Sequence, residues 1–282
     1  MKKIFGVIGD PIGHSMSPAM HNDAFERIGM DASYLPFHVT KENLADAVKG
    51  MKAIGVQGFN VTIPHKTEII PLLDEVDPLA SVIGAVNTVV REKGRFKGYN
   101  TDGLGYVRAL RESFPGSIED QRVLIIGAGG AARGIYYTLA SEKVTQMDVA
   151  NRTVDKAKQL SDACPYPVDG VSLTLEAAAA QLETYDIIIQ TTSIGMAPAI
   201  DQKPISLDRL KQGAFVSDII YNPLQTELLK EAEERRAGTQ NGIQMFVHQG
   251  ALAFEKWTGV YPDVKRMEEL VLKQLGGNYA NR

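Results

Sequence analysis

The apolar run Val123 to Ile126 breaks directly into Gly127-Ala-Gly-Gly-Ala-Ala132 and then into a helix-forming segment. A strand, a glycine turn and a helix in that order form a cradle for a dinucleotide pyrophosphate. Gly127 permits the tight turn, Gly129 lets backbone N–H groups approach the phosphates, and Ala132 takes the third small position where helix meets sheet. The helix start adds free donors and a positive dipole end. By itself the pattern is shared with many glycine turns that bind nothing. The tip of the next strand narrows the reading. In NAD sites that strand ends in an acidic residue that bonds the ribose 2′-hydroxyl. Here the strand Thr145 to Ala150 ends in Asn151-Arg152-Thr153, with no carboxylate. A guanidinium at that tip pairs with a 2′-phosphate, which an acid would repel, so the cofactor expected is NADP. Lys156 is a further cation one helical turn on.

A second set of polar residues occupies the N-terminal part. Gly13-His-Ser-Met-Ser-Pro18 puts the hydroxyls of Ser15 and Ser17 beside a helix start, a donor-rich place for a small carboxylate. An N-cap serine with an exposed neighbour reads equally well. Asn60-Val-Thr-Ile-Pro-His-Lys66 alternates Asn60 and Thr62 onto one face of a strand, opposite Val61 and Ile63. Asn87, Asn100, Thr101 and Asp102 stand at strand ends, where an open α/β sheet holds its ligand. Each is also ordinary turn chemistry, and Lys66 alone reads as a solvated loop lysine.

These groups need elements to position them. Ile4 to Ile8 reads as a buried strand, and Ser17-Pro18 as an N-cap and N1 proline opening a helix that stops near Gly29. Tyr34 to Val39 alternates like a strand that Pro36 demotes to an edge. Leu44, Ala47, Val48 and Met51 recur at helical spacing, Gly58 to Ile63 is the next strand, and Ala85 to Glu92 with Arg95 to Tyr99 forms a hairpin. From residue 122 to 221 strand and helix alternate in the rhythm of a parallel, doubly wound sheet. Two amphipathic helices near 243–257 and 263–275 lie past this unit and are expected to fold back onto the first domain. The fold class is therefore α/β and two-lobed: a discontinuous N-terminal domain, 1–102 with 239–282, a Rossmann-type domain, 103–238, and a cleft between them.

Composition limits the functions available. At 282 residues, 44% hydrophobic and 23% charged, the chain can bury two ordinary globular cores. A net charge of −4 without a basic stripe argues against nucleic-acid binding. The apolar start ends at Asp10, which fits a first strand better than a leader, and no run is long enough to span a membrane. The single cysteine, Cys164, excludes an intrachain disulfide. The five histidines, at 14, 21, 38, 65 and 248, show no metal-ligand spacing, so no metal is expected. A cytoplasmic protein is the simplest fit.

Taken in order, the segments G-H-S-M-S-P-A-M-H-N, G-F-N-V-T-I-P-H-K, G-A-V-N-T, G-Y-N-T-D-G, G-A-G-G-A-A-R, N-R-T, T-S-I-G-M, D-I-I-Y-N-P and Q-M-F-V-H-Q-G-A-L-A-F-E-K-W-T-G resemble the shikimate dehydrogenase family over essentially the whole chain. The resemblance implies NADPH-dependent, reversible reduction of 3-dehydroshikimate to shikimate. It implies that Ser15 and Ser17 hold the substrate carboxylate with Tyr221 and Thr62, and that Asn60, Asn87, Asp102 and Gln249 bond the ring hydroxyls. Lys66 and Asp102 become the catalytic pair. The dinucleotide contacts become Gly127, Ala128, Gly129, Gly130 and Ala131, then Asn151, Arg152 and Thr153, then Thr191, Ile219, Gly242 and Met245. Reducing a ketone creates an alkoxide that needs a positioned proton donor, a role Lys66 suits. A monomer or homodimer acting on small molecules is implied. The chain departs from many members at Gln190, on the nicotinamide side. Alternative readings are a broader quinate/shikimate enzyme that also takes NAD, and a non-catalytic NADP- or shikimate-binding regulator, against which the Lys66 and Asp102 pair speaks.

Overall fold

The computed structural model describes residues 2–13 and 15–276. His14, beside the Ser15 segment, and the end of the expected N-terminal domain beyond residue 276 lie outside the described residues. The chain divides into two compact units, Met1–Thr101 with the segment from Val247 onward, and Asp102–Phe246.

In the first unit, β1 (Lys3–Gly9), β2 (Ala32–His38), β3 (Gly58–Val61), β4 (Glu75–Val76), β5 (Thr88–Glu92) and β6 (Arg95–Tyr99) form a mixed sheet ordered β2-β1-β3-β5-β6-β4. Helices α1 (Ser17–Arg27), α2 (Leu44–Ala53) and α3 (Pro78–Ile83) belong to this unit. β1 runs between two parallel neighbours, and its last five residues are buried, as a strand covered on both faces requires. β2 is the edge strand expected from Pro36, which costs no ladder bond there. In α2, Leu44, Val48 and Met51 turn one stripe into a core with Ile8, Phe59, Val61, Val89 and Phe96.

The strand expected over 58–63 stops at Val61. Past it the Thr62 carbonyl accepts the His65 N–H at 2.9 Å, which turns the chain and leaves Ile63 67% exposed.

The second unit carries α4 (Asp102–Ser113), β7 (Val123–Ile126), α5 (Gly130–Ser141), β8 (Met147–Ala150), α6 (Val154–Asp162), β9 (Ser172–Leu173), α7 (Leu175–Ala179), β10 (Ile187–Gln190), β11 (Phe215–Asp218), α8 (Glu227–Glu234) and β12 (Gly238–Gln240). Its sheet is parallel throughout, ordered β12-β11-β10-β7-β8-β9. The order reverses between β7 and β10, the point at which open α/β sheets bind ligands at the carboxyl ends of their strands. All four residues of β7, β8, β10 and β11 are buried, the mark of strands with helices on both faces.

Helix α9 (Ile243–Thr258) starts in the second unit and continues into the first, and α10 (Val264–Gln274) packs against α1. An aromatic cluster gathers Phe5, His21, Phe25, Tyr34, Phe254 and Trp257, and the Trp257 indole N–H donates to the Val89 carbonyl at 3.0 Å. Among the described residues no helix is long and apolar enough to cross a membrane.

Candidate active site

Asn60 is 7% exposed on β3, and its carboxamide is bonded on both sides. Its Nδ2 donates to the Asn87 carbonyl and to Thr88 Oγ1, both at 3.1 Å, while Oδ1 accepts the Tyr34 hydroxyl at 2.7 Å. Asn87, just before β5, accepts the Thr101 N–H at 2.7 Å and donates to Thr101 Oγ1 at 3.0 Å and Gln249 Oε1 at 3.4 Å. Three of the expected hydroxyl-binding residues, Asn60, Asn87 and Gln249, thus share one network. Most polar groups this deep are partnered in folded proteins. Thr88 and Thr101 complete the network; Thr101 stood among the strand-end candidates, whereas Thr88 was not expected. The repeated Asn-Thr dipeptide at 87–88 and 100–101 was the available signal.

Ser17 is the first residue of α1 and not its N-cap, a position that Met16 holds. The Ser17 N–H donates to Ser15 Oγ at 3.3 Å, so Ser15 takes over the local capping bond through the two-residue reach of a serine side chain. Thr62 is half-buried, with its N–H donating to the Ile8 carbonyl. His65 is fully buried, and its Nε2 meets the Val39 carbonyl at 2.6 Å, which anchors the loop that carries Lys66. Lys66 itself is half-buried, and its carbonyl accepts the Val86 N–H at 2.8 Å. Asp102 opens α4 and belongs to the second unit, as does Tyr221, whereas Lys66, Ser15 and Ser17 belong to the first.

In the second unit, Gly127 has φ +114°, and a Cβ there would lie 2.5 Å from Thr191 Oγ1. Conformation and space both demand glycine. The Thr191 hydroxyl donates to the Ile126 carbonyl at 2.7 Å, which fixes it beside the turn. Gly129 and Gly130 are exposed at the start of α5, and a Cβ on either would meet nothing within 4 Å. Ala128 and Ala131 are half-buried and Ala132 is fully buried against the sheet. This open, side-chain-free helix start fits a pyrophosphate. At the tip of β8 the Asn151 side chain donates to the Thr153 carbonyl at 2.8 Å, and Arg152 is exposed. The first acid, Asp155, comes only inside the first turn of α6.

Gln190, the residue that departs from the family pattern, is fully buried and organises the loop after β10. Its Nε2 donates to the Thr192 and Ile194 carbonyls at 3.2 and 3.0 Å, and its Oε1 accepts the Thr192 N–H at 2.7 Å. Ile219 donates its N–H to the Gln190 carbonyl at 3.1 Å. Gly242 lies so close that a Cβ would fall 2.0 Å from the Ile219 carbonyl oxygen, and Met245 is half-buried on the first turn of α9. Tyr221 rests against Phe246 with ring centres 5.4 Å apart, and burial raises its hydroxyl above the ordinary tyrosine range, which keeps it a neutral donor.

Asp218 holds the segment after β11 from beneath. It accepts the Ile220 N–H at 3.0 Å and the Thr226 hydroxyl at 2.8 Å, yet burial dominates and pushes its carboxyl up to about 6. Protonation therefore stabilises the fold fully below the ordinary value of 3.8, and that stability is lost as pH rises through about 6. Asp218→Asn keeps an acceptor for Ile220 without the buried charge. Its unfolding free energy relative to the parent is expected to grow by about 2 kcal/mol as pH rises from 4 to 7. Urea titrations at several pH values check this, and a difference that does not vary with pH would refute it.

A parallel sheet with a glycine cradle at its switch point, joined to a second sheet that holds a buried carboxamide network, defines a dinucleotide-dependent oxidoreductase of the two-unit α/β class. Family profiles agree segment by segment. Residues 7–89 match the shikimate dehydrogenase substrate binding domain, 109–221 the shikimate / quinate 5-dehydrogenase domain, and 242–272 the shikimate 5′-dehydrogenase C-terminal domain. The shikimate dehydrogenase (NADP+) of Bacillus cereus is 57% identical over 98% of this chain and 100% of its own length. The structure of shikimate 5-dehydrogenase from Listeria monocytogenes with shikimate and NAD superposes with a TM-score of 0.91 at 36% identity, covering 96% of each chain. That of the Thermus thermophilus enzyme with NADP(H) and shikimate gives 0.86 at 34% identity, covering 96% of this chain and 99% of the other. The chain belongs to the shikimate dehydrogenase family.

Proposed function

We propose that this chain reduces 3-dehydroshikimate to shikimate with NADPH, reversibly, as a step of the shikimate pathway. The observation that carries this reading is the Asn60, Asn87 and Gln249 network, three carboxamides fixed by internal bonds in the unit that lacks the glycine cradle. Dipoles fixed in advance cost no reorganisation when a polyhydroxylated ring arrives. NADPH, when bound, supplies the hydride. Ser15 and Ser17, with Tyr221 and Thr62, hold the substrate carboxylate, while Asn60, Asn87, Asp102 and Gln249 take the ring hydroxyls. Lys66 delivers a proton to the oxygen that gains negative charge, and Asp102 orients the ammonium. A neighbouring carboxylate favours charged lysine, which suits donation in the reductive direction.

Gly127, Ala128, Gly129, Gly130 and Ala131 hold the pyrophosphate. Asn151, Arg152 and Thr153 surround the 2′-phosphate, and Thr191, Ile219, Gly242 and Met245 line the nicotinamide half. The unit of residues 1–101 with 247 onward serves as the substrate domain and 102–246 as the NADP domain, in place of the expected 1–102 with 239–282 and 103–238. The protein works in the cytoplasm as a monomer or homodimer on small molecules, apart from membranes and nucleic acids.

The test is nicotinamide absorbance with shikimate or quinate crossed against NADP or NAD, on the parent chain and on Arg152→Ala. Shikimate with NADP is expected to be the best pair. Losing the guanidinium removes a charge-assisted contact that NAD never makes. The KM for NADP should therefore rise about ten- to a hundredfold while NAD turnover changes little. Best turnover with quinate and NAD would overturn the substrate and cofactor assignments. An equal loss for both cofactors would assign Arg152 to loop structure.

A further inference from the structure

Tyr34 alternates into β2 as an ordinary core aromatic, yet its hydroxyl ends on a site residue. The ring is fully buried, and the phenol donates to Asn60 Oδ1 at 2.7 Å. The Asn22 side chain on α1 brackets the Tyr34 backbone, donating to its carbonyl at 2.9 Å and accepting its N–H at 2.8 Å. The ring stacks on His21 of α1 at 4.5 Å and lies 5.9 Å from Trp257 of α9. The two helices that fix Tyr34 are thus those that carry Ser17 and Gln249.

The donor pattern at Asn60 sets what it can recognise. Both Nδ2 hydrogens are committed, to the Asn87 carbonyl and to Thr88 Oγ1. Turning the amide over would press Oδ1 against the Asn87 carbonyl oxygen and would offer Nδ2 to the phenol. With one Oδ1 lone pair taken by Tyr34, the second is what remains for a ligand.

We infer that Tyr34 is a positioning residue for substrate recognition: it locks Asn60 as an acceptor that reads a substrate hydroxyl only through its O–H. The inference rests on the substrate reading proposed above. Groups that grip substrate equally in the ground and transition states change KM and leave kcat alone.

The experiment is steady-state kinetics and thermal melting of Tyr34→Phe, Asn60→Ala and the double variant, with shikimate and NADP. Tyr34→Phe keeps every ring contact and should raise the shikimate KM about three- to twentyfold with kcat within about twofold, for one lost contact of ordinary strength. The KM for NADP should stay at the parent value. In the Asn60→Ala background the same change should add less than about twofold, as coupled residues do. An unchanged shikimate KM, fully multiplicative effects in the double variant, or a Phe variant that does not fold would each overturn the inference and assign the hydroxyl to stability. A parent chain inactive on shikimate would overturn the substrate reading and this inference together.

Discussion

Lys66→Ala is expected to lower kcat by about 100- to 10,000-fold, the range for a positioned general acid or base. The effect should be chemical rather than structural. The loop is held from both sides of the side chain, by the buried His65 ring on the Val39 carbonyl and by the Lys66 carbonyl receiving the Val86 N–H, and alanine leaves both bonds in place. The KM for NADP and the melting temperature should therefore stay close to the parent values. Steady-state kinetics in both directions, with melting curves on the same preparations, make the check. Turnover at the parent rate would show that another group handles the proton.

Acid should unfold this protein through His21. The imidazole is fully buried against the rings of Tyr34, Phe254 and Trp257, and neither ring nitrogen has a hydrogen-bond partner among the described residues. Burial alone pushes it down from 6.5 to about 3, so the folded state keeps the ring neutral. The unfolded chain binds a proton near 6.5 that the folded chain refuses. Stability is then full above that value and lost as pH falls toward 3, by about 3 kcal/mol at pH 4 and about 4 kcal/mol at pH 3.

The paired carboxylates Asp23, Asp74 and Asp186 are also held below their ordinary range and add their own acid sensitivity. The difference between the parent and His21→Phe isolates the histidine, because any packing offset from phenylalanine is independent of pH. Trp257, the only tryptophan, lies 5.2 Å from the imidazole and reports urea unfolding by its fluorescence. A difference that is the same at pH 7 and pH 4 would mean the ring is protonated in the fold.

Much of this molecule was legible because its signals are local. The periodicity of α2, the edge position of β2, the β5–β6 hairpin and the strand β7 each depend on the burial or backbone chemistry of a few neighbouring residues. The same holds for Gly127, whose positive φ only glycine accepts at low cost. Short elements escaped. β4, β9 and β12 have two or three residues each, too few for a period to register. The Ser17 cap was placed one residue late because Ser15 and Ser17 carry equivalent hydroxyls, and only the path of the chain decides which one the helix start uses.

The sequence by itself determined the α/β class, the cradle after β7, the absence of an acid at the β8 tip and the family, since each rests on residue types in fixed order. Tertiary structure alone decided which polar residues meet. Asn60, Asn87 and Gln249 are brought together by β3, by the approach to β5 and by α9, and their bonds span sequence separations of 27 and 162 residues. It likewise decided that Gln190 organises its own loop, that His65 is an anchor, and that Tyr34, patterned as core, ends in a hydroxyl on Asn60. Periodicity reports which face of an element is buried. It carries no information about which partner a buried donor finds across the sheet, because that depends on strand order and register, which are set by packing of the whole unit.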